Sequence, residues 1–468
     1  MTERPFSILT VGYGHRLISV LWNKIEERAN YRISHVPAPV LFPKSVMKDE
    51  FEPGRESLYY LAAKPNRNTY SADLEYLASL EGEGGPTIHN VILGDAHLSD
   101  LDYSNARDYL CEVARRLEEI FTDAKPDVVL SGFDGFVGTL SMLVCRKLNL
   151  QWFGLVYTPI PHGMTGFSAT NNNFGTRSFS PPNAELTRKI AKRTIEEFEG
   201  KLLSAYSPTT ENSILNIIKF LPLRFKNAKN KLAAVTSGTH DRYTQRSFFE
   251  STREYLRRRR NFITNKKVEF AATPPATPFV FFGFHMQPEM GIDVWAPYYS
   301  NQAQVVEFIA RSTPPTHKVM VKLHRIDADN WSNDQLLRIE KMPGVVIVSP
   351  TANTQDFVSK AELIFSIQGT IAFEASMIGI PVITFGETMY EDMPTVTRVE
   401  NLTDLPSLVR RKLKESRPAR SEILAGLEKV LSRFAPGLYN NWEIDPSDEQ
   451  LTNFIAHLEC LRRDLLHL

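Results

Sequence analysis

The sequence predicts an α/β protein of two domains, each a parallel sheet with helices on both faces. Three observations predict it. The chain has 468 residues, and a single hydrophobic core stops growing at roughly 250–300 residues, so at least two domains are expected. From Pro278 onward short β-rich apolar runs alternate with helical stretches, and parallel neighbours need such crossovers. The N-terminal half carries a looser version of the same alternation.

Taken in order, residues 7–11 read as a strand entering Gly12-Tyr13-Gly14, and residues 16–29 have amphipathic helical spacing. Residues 88–93 read as a strand, 101–121 as a helix, 127–131 as a strand, 136–148 as a helix and 152–156 as a strand. The Pro-, Asn-, Ser- and Gly-rich stretch 159–183 reads as a long functional loop. Residues 184–276 are charge-rich and helical, contain Arg257-Arg258-Arg259-Arg260, and read as a connector. The arginines are either a solvated helix face or a contact for an anionic polymer or inner leaflet. In the C-terminal half, strands are expected at 279–284, 318–323, 345–348, 362–367 and 382–385, with helices near 301–311, 333–341, 355–360 and 371–378. Helices near 404–415, 420–433 and 449–465 follow, with no further strand. The expected domains are therefore 1–183, a connector at 184–276, 277–400, and C-terminal helices at 401–468.

Lys plus Arg and Asp plus Glu both number 54, which removes the broad cationic field of a sequence-independent nucleic-acid binder. The 42% hydrophobic content supplies enough apolar surface for folded cores. Cys111, Cys145 and Cys460 are scattered, so neither a disulfide framework nor a structural zinc site is expected. A reducing cytoplasm fits. Residues 1–10 lack a signal pattern and no apolar run approaches bilayer length, so any membrane association is expected to be peripheral.

Ligands of open parallel sheets bind beyond the carboxyl ends of the strands, near helix N-termini. Four such ends are polar: His285-Met286-Gln287-Pro288-Glu289, His324-Arg325, Gln368-Gly369-Thr370 and Gly386-Glu387. In the segment 366–381, Thr370 reads as an N-cap and Gly379 as the residue past the helix end, with Pro381 barring continuation. Gly369 lets phosphate oxygens approach backbone N–H groups. Glu374 lies four residues after Thr370 and shares its face; it either accepts bonds from ribose hydroxyls or is solvated on an ordinary capped helix.

The ordered series Phe282 to Glu289, Tyr299, Gln302, Pro314-Pro315, Val321-Lys322-Leu323-His324 and Gly369-Thr370 through Glu374 to Gly386 resembles the bacterial capsule and surface-polysaccharide glycosyltransferases, which include the Kdo transferases of capsule assembly. The resemblance covers about residues 278–390. It implies a GT-B architecture, two Rossmann-like domains facing a cleft, with the C-terminal domain holding a nucleotide-sugar donor. It also implies that His324 stands at the His of a His-Pro motif that contacts the donor, although Arg325 replaces the Pro and Leu323 the acidic residue often preceding it. Arg325 pairs with a phosphate or a sugar-acid carboxylate in this reading, or is a surface cation.

The expected activity is inverting transfer of a sugar, Kdo or a related acidic sugar from a CMP donor being the candidate, to a capsule or lipopolysaccharide intermediate. No cofactor beyond the nucleotide-sugar co-substrate is expected, and the acceptor is a glycan or glycolipid. Donor contacts are assigned to Gln287, Lys322, His324, Arg325, Gly369, Thr370 and Glu374. For the base, Asp134 in Gly132-Phe133-Asp134-Gly135 follows a predicted strand, with capping of the next helix as the alternative role; His285 and Glu289 are the other candidates. Gly12 and Gly14 and the asparagines 171–173 are weaker candidates for contact with donor or acceptor. The tripeptides Asp100-Leu101-Asp102 and Asp327-Ala328-Asp329 each precede a predicted helix, so capping is preferred and no metal site is expected. A non-hydrolysing nucleotide-sugar epimerase and a non-catalytic nucleotide- or glycan-binding scaffold are the competing readings.

Overall fold

The computed structural model describes residues 4–13, 21–37, 73–132, 135–170, 172–177, 184–200, 248–436 and 446–466. Two sheets organise them. The first contains β1 (Phe6–Val11), β2 (Tyr31–Val36), β3 (Val128–Gly132), β4 (Trp152–Tyr157), β5 (Met164–Ser168), β6 (Thr176–Arg177) and, far along the chain, β13 (Ala435–Pro436). The second contains β7 (Phe279–Gly283), β8 (Lys318–Lys322), β9 (Val345–Val348), β10 (Leu363–Ser366), β11 (Val382–Thr384) and β12 (Val396–Arg398).

The second sheet has the order β12-β11-β10-β7-β8-β9 and is parallel throughout. Its central strands are buried on both faces, which is why they read in sequence as unbroken apolar runs. One face packs against helices Gln302–Ser312, Asn333–Glu340 and Leu405–Lys412; the other packs against Ala184–Gly200, Thr370–Met377 and Arg420–Leu431. β7 leads to β8 on one side, while β10 lies on its other side. The strand order therefore reverses between β7 and β10, and the loops leaving those two strands diverge from one point.

The first sheet runs β13-β5-β4-β3-β1-β2, with β2, β1, β3 and β4 parallel and β5, β6 and β13 added antiparallel. Helices Tyr103–Ala124 and Phe136–Lys147 cover one face. The other face is closed by Trp22 and Ile25 and by Phe454, Leu458 and Leu461 of the C-terminal helix Asp448–Leu466, which crosses back to this sheet.

The α/β class expected from the sequence is present, and particular elements differ. Residues 88–93 form a helix, not a strand: Thr87 caps it, Glu81 accepts from the Ile88 N–H, and Ile88, Val91 and Ile92 are buried at helical spacing. β2 stands where no strand was expected. The stretch 159–183, expected as a loop, contains the fully buried β5 and the short β6. β12 and the two-residue β13 add strands after the expected five. Gly369, not Thr370, is the N-cap of helix Thr370–Met377, and Gly379 adopts φ +78° just beyond its end, as the left-handed stop at that position requires.

Candidate functional site

The reversal point between β7 and β10 sets His285 beside Gly369. A Cβ on Gly369 would lie 2.9 Å from His285 Cε1 and 3.0 Å from Ser366 Oγ, so glycine is required for this approach. The Gly369 N–H donates to Ser366 Oγ at 2.8 Å, and Tyr390 donates its hydroxyl to the Gly369 carbonyl at 2.7 Å. Tyr390 is itself stacked on Phe373 at 5.1 Å. The helix start is thus fixed from below, while Gln368, Gly369, Thr370 and Ile371 stay partly accessible. The amides of Thr370 and Ile371 open the helix and have no preceding intrahelical carbonyl to serve them. Their positive end favours an anion.

The loop after β7 is held by a buried amide network. Gln302, 1% exposed, accepts the His285 N–H (2.8 Å) and donates to the His285 carbonyl (3.1 Å) and to Gln287 Oε1 (2.8 Å). Gln287 Nε2 donates to Asp293 Oδ1 and to the Ser300 carbonyl, both at 2.8 Å. Both of its amide hydrogens are engaged, so the structure shows Gln287 as a support of the loop. Asp293 also accepts the Glu289 N–H at 2.8 Å, and burial raises its pKa. Glu289 occupies the N-cap position of the short helix Met290–Asp293.

Burial, with the neighbouring His324 second, pushes the His285 pKa down to about 4. Its imidazole is neutral near pH 7, and its Nε2 lies 3.5 Å from Ser366 Oγ. His324, after β8, is also lowered, by burial and then by Lys322. Lys322 is pushed to about 8 by burial and then by Arg325, and donates to the Pro350 carbonyl at 3.0 Å. Arg325 is exposed. Two cations and two neutral histidines therefore gather at adjacent strand ends. Among them His324 Nδ1, like Gln368 Nε2 at the helix start, is buried without a hydrogen-bond partner. Such atoms are uncommon in folded proteins and call for a partner.

Glu374 lies within the helix and is 8% exposed, so the solvated alternative does not hold. Asp134 and Gly14 lie outside the described residues. Gly12 follows β1 with φ +81°, beside the end of β3. Contacts between the two domains gather on the same loops: Asn172 Nδ2 donates to Gln368 Oε1 at 3.3 Å, Phe174 meets Trp295 edge to face at 5.6 Å, and Gly94 lies against Met290 and Val294. Sequence reasoning missed Ser366, Tyr390 and Asp293 as parts of this site; a serine ending a buried strand, three residues before a glycine, was the one local signal.

Neither Asp-X-Asp tripeptide gathers ligands. Asp102 occupies the N-cap position of Tyr103–Ala124 and its carboxylate accepts from Ser104; Asp327 accepts from Asn330. Among the described residues no cluster of three or more His, Cys, Asp or Glu is placed to hold a metal ion. An open depression of about 700 Å3 lined by Tyr76, Arg115, Glu118 and Lys147 lies where the first sheet's helices end, away from these loops. Within it Lys147 pairs with Glu118 at 2.7 Å and Arg115 with Asp73 at 2.5 Å. No described helix is long and apolar enough to cross a membrane.

Two Rossmann-like domains joined in this way define an α/β fold of the GT-B type. No family model and no curated protein matches the sequence. Among solved structures, the chain is similar to the KpsC β-Kdo 2,7 transferase of Thermosulfurimonas dismutans at 10% identity, over 74% of this chain and 90% of that one, with TM-score 0.34. It is similar to the UDP-GlcNAc 2-epimerase of Methanocaldococcus jannaschii, in complex with UDP-GlcNAc and UDP, at 13% identity over 91% and 98%, TM-score 0.31. It is also similar to MnaA of S. aureus with UDP, at 13% identity over 98% and 97%, TM-score 0.31. Likeness at this level assigns no activity; the sheets themselves establish the fold.

Proposed function

We propose that this chain is a glycosyltransferase that moves a sugar, with inversion, from a nucleotide-sugar donor to a capsule or lipopolysaccharide intermediate. Kdo from a CMP donor is the first candidate. The observation that carries the reading is the open helix start at Gly369-Thr370-Ile371, flanked by His285 and by the partnerless polar atoms of His324 and Gln368. In this reading the amides of Thr370 and Ile371 accept the donor phosphate, Lys322 and Arg325 balance its charge, and Glu374 takes the ribose hydroxyls.

Glycosyl transfer develops positive charge on the sugar and negative charge on the departing phosphate. Helix amides and two cations meet the second requirement without calling on a metal. Neutral His285 adds a hydrogen bond and no charge. Asp134, two residues past the end of β3 in the sequence, is the proposed base that takes the acceptor proton. The N-terminal domain is the acceptor side, and a lipid-linked acceptor would bring the protein to a membrane surface.

The test is thermal shift of the purified chain against a panel of nucleotides, since a ligand that binds only the native state raises apparent stability, followed by mass spectrometry of products. His324→Ala and Glu374→Ala are expected to weaken nucleotide binding, and Asp134→Ala to abolish transfer with binding intact. Unchanged binding and turnover in all three variants removes the proposal. The same donor site would serve a non-hydrolysing epimerase; solvent deuterium entering the donor sugar without an acceptor would identify that reaction instead.

A further inference from the structure

Helix Phe248–Thr264 turns one side to the loop that follows β8 and the other to solvent. Arg257 is held by Glu254 at 2.6 Å and donates to Asn330 Oδ1 at 2.9 Å. Arg258 donates to the Ile326 carbonyl at 2.6 Å, and Asn261 to the Asp329 carbonyl at 2.9 Å. Asp100 and Asp327 also face Arg257, and Asp329 feels Arg258 and Arg259 from the loop side. Two of the four consecutive arginines therefore anchor the helix to the body of the protein.

The outward side has a different character. Tyr255, Leu256, Phe262 and Ile263 are 41, 59, 45 and 55% exposed. Arg253, Arg259, Arg260 and, in the turn just beyond, Lys266 and Lys267 are exposed with them. At about 100° per residue, Leu256 and Ile263 run down the middle of this side. Tyr255 and Phe262 flank them on one edge, and Arg253 and Arg260 on the other. Arg259 and Lys266 stand over the Phe262 ring at 5.4 and 5.6 Å. Glu250 and Glu254, the acidic residues of the helix, fall on the inward half. Ile326, 64% exposed, and exposed Arg325 continue the surface onto the neighbouring loop.

We propose that this side of the helix docks on an anionic lipid bilayer, with Leu256, Ile263, Tyr255 and Phe262 entering the interfacial region and the cations meeting headgroups. A chain of zero net charge has here gathered five cations and four large apolar side chains on the side of the helix away from its own two glutamates, the pattern of an interfacial helix. RNA would use the cations and rings but has no use for aliphatic side chains along the centre. The helix rests on the loop leaving β8, so docking brings the rim carrying His324 and Arg325 beside the membrane, where a lipid-linked acceptor would lie. That last consequence rests on the glycosyltransferase reading; the docking itself does not.

The experiment is co-sedimentation of the full chain with vesicles of phosphatidylcholine alone or mixed with phosphatidylglycerol. Wild type is expected to sediment with the mixed vesicles, less at high salt, and little with phosphatidylcholine alone. Each cation near an anionic surface is worth about fivefold in partition, so Arg259→Gln/Arg260→Gln should reduce it by at least about tenfold. Leu256→Glu/Ile263→Glu should do the same. All four side chains are exposed, so both variants should keep the wild-type thermal transition and nucleotide response, which separates failure here from failure of the donor site. The proposal is overturned if wild type ignores mixed vesicles, if either variant sediments like wild type, or if wild type is retained on polyuridylate that these vesicles cannot displace.

Discussion

Replacing Gln302 by leucine removes a side chain of similar volume together with three hydrogen bonds: from the His285 N–H, to the His285 carbonyl and to Gln287 Oε1. Each is worth about 1 kcal/mol net, and a buried group left without its partner costs about 1–3 kcal/mol. Gln302 is 1% exposed, so water cannot readily replace it. The sum gives a loss of about 3–5 kcal/mol for the C-terminal domain, at the upper end of what single substitutions do. His285 would lose both backbone restraints, and nucleotide affinity should fall by about tenfold or more if that loop lines the donor site. Urea titration by circular dichroism and calorimetric titration with the nucleotide found by thermal shift measure the two effects. Gln302→Glu keeps the acceptor for the His285 N–H and should lie between wild type and Gln302→Leu. A leucine variant within about 1 kcal/mol of wild type, binding nucleotide normally, would refute the reasoning.

Gly369→Ala is tolerated by the backbone, which has φ −74° and ψ 153°, but its Cβ meets His285 and Ser366 at 3.0 Å or less. It should reduce nucleotide affinity while costing stability only about 1–3 kcal/mol, as read by the same two measurements; unchanged affinity would show that His285 need not stand where it does. Burial holds His285 and His457 at about 4, below the unfolded value of about 6.5, so their neutral forms stabilise fully above that value. This contribution is lost as pH falls from about 6.5 toward 4, at about 1.4 kcal/mol per pH unit for each. Asp327, raised to about 6, works in the opposite sense below pH 6 and offsets about one of them. Denaturation midpoints from pH 7 to 5 should therefore fall for wild type and flatten in His457→Gln; parallel profiles would contradict the assignment.

The second sheet was legible in the sequence because its strands are buried on both faces and appear as short, unbroken apolar runs, with helix Thr370–Met377 bounded by Gly369 and Gly379. The first sheet was less so. Residues 88–93 form an apolar run too short to show its period, and helix capping by Thr87 and Glu81 decided its type. β2 interleaves Arg32, Ser34 and His35 with its apolar residues, and β5 sets Thr165, Gly166 and Ser168 around Met164 and Phe167, too short and mixed a run to read as a strand before it pairs with β4, β6 and β13.

At the site, the residue types after each strand were written locally: a histidine after β7, another after β8, a glycine opening a helix after β10. What joins them was not. Ser366 lies 81 residues from His285, Gln302 reaches back 17 residues to clasp His285, and Asn172 crosses 196 residues to Gln368. Local sequence sets dihedral preference and burial periodicity, which suffice to make strands and cap helices. Only the reversal of strand order between β7 and β10 brings their separate ends to one point, because hydrogen-bond pairing between distant strands, and not any property of the segments themselves, fixes which ends are neighbours.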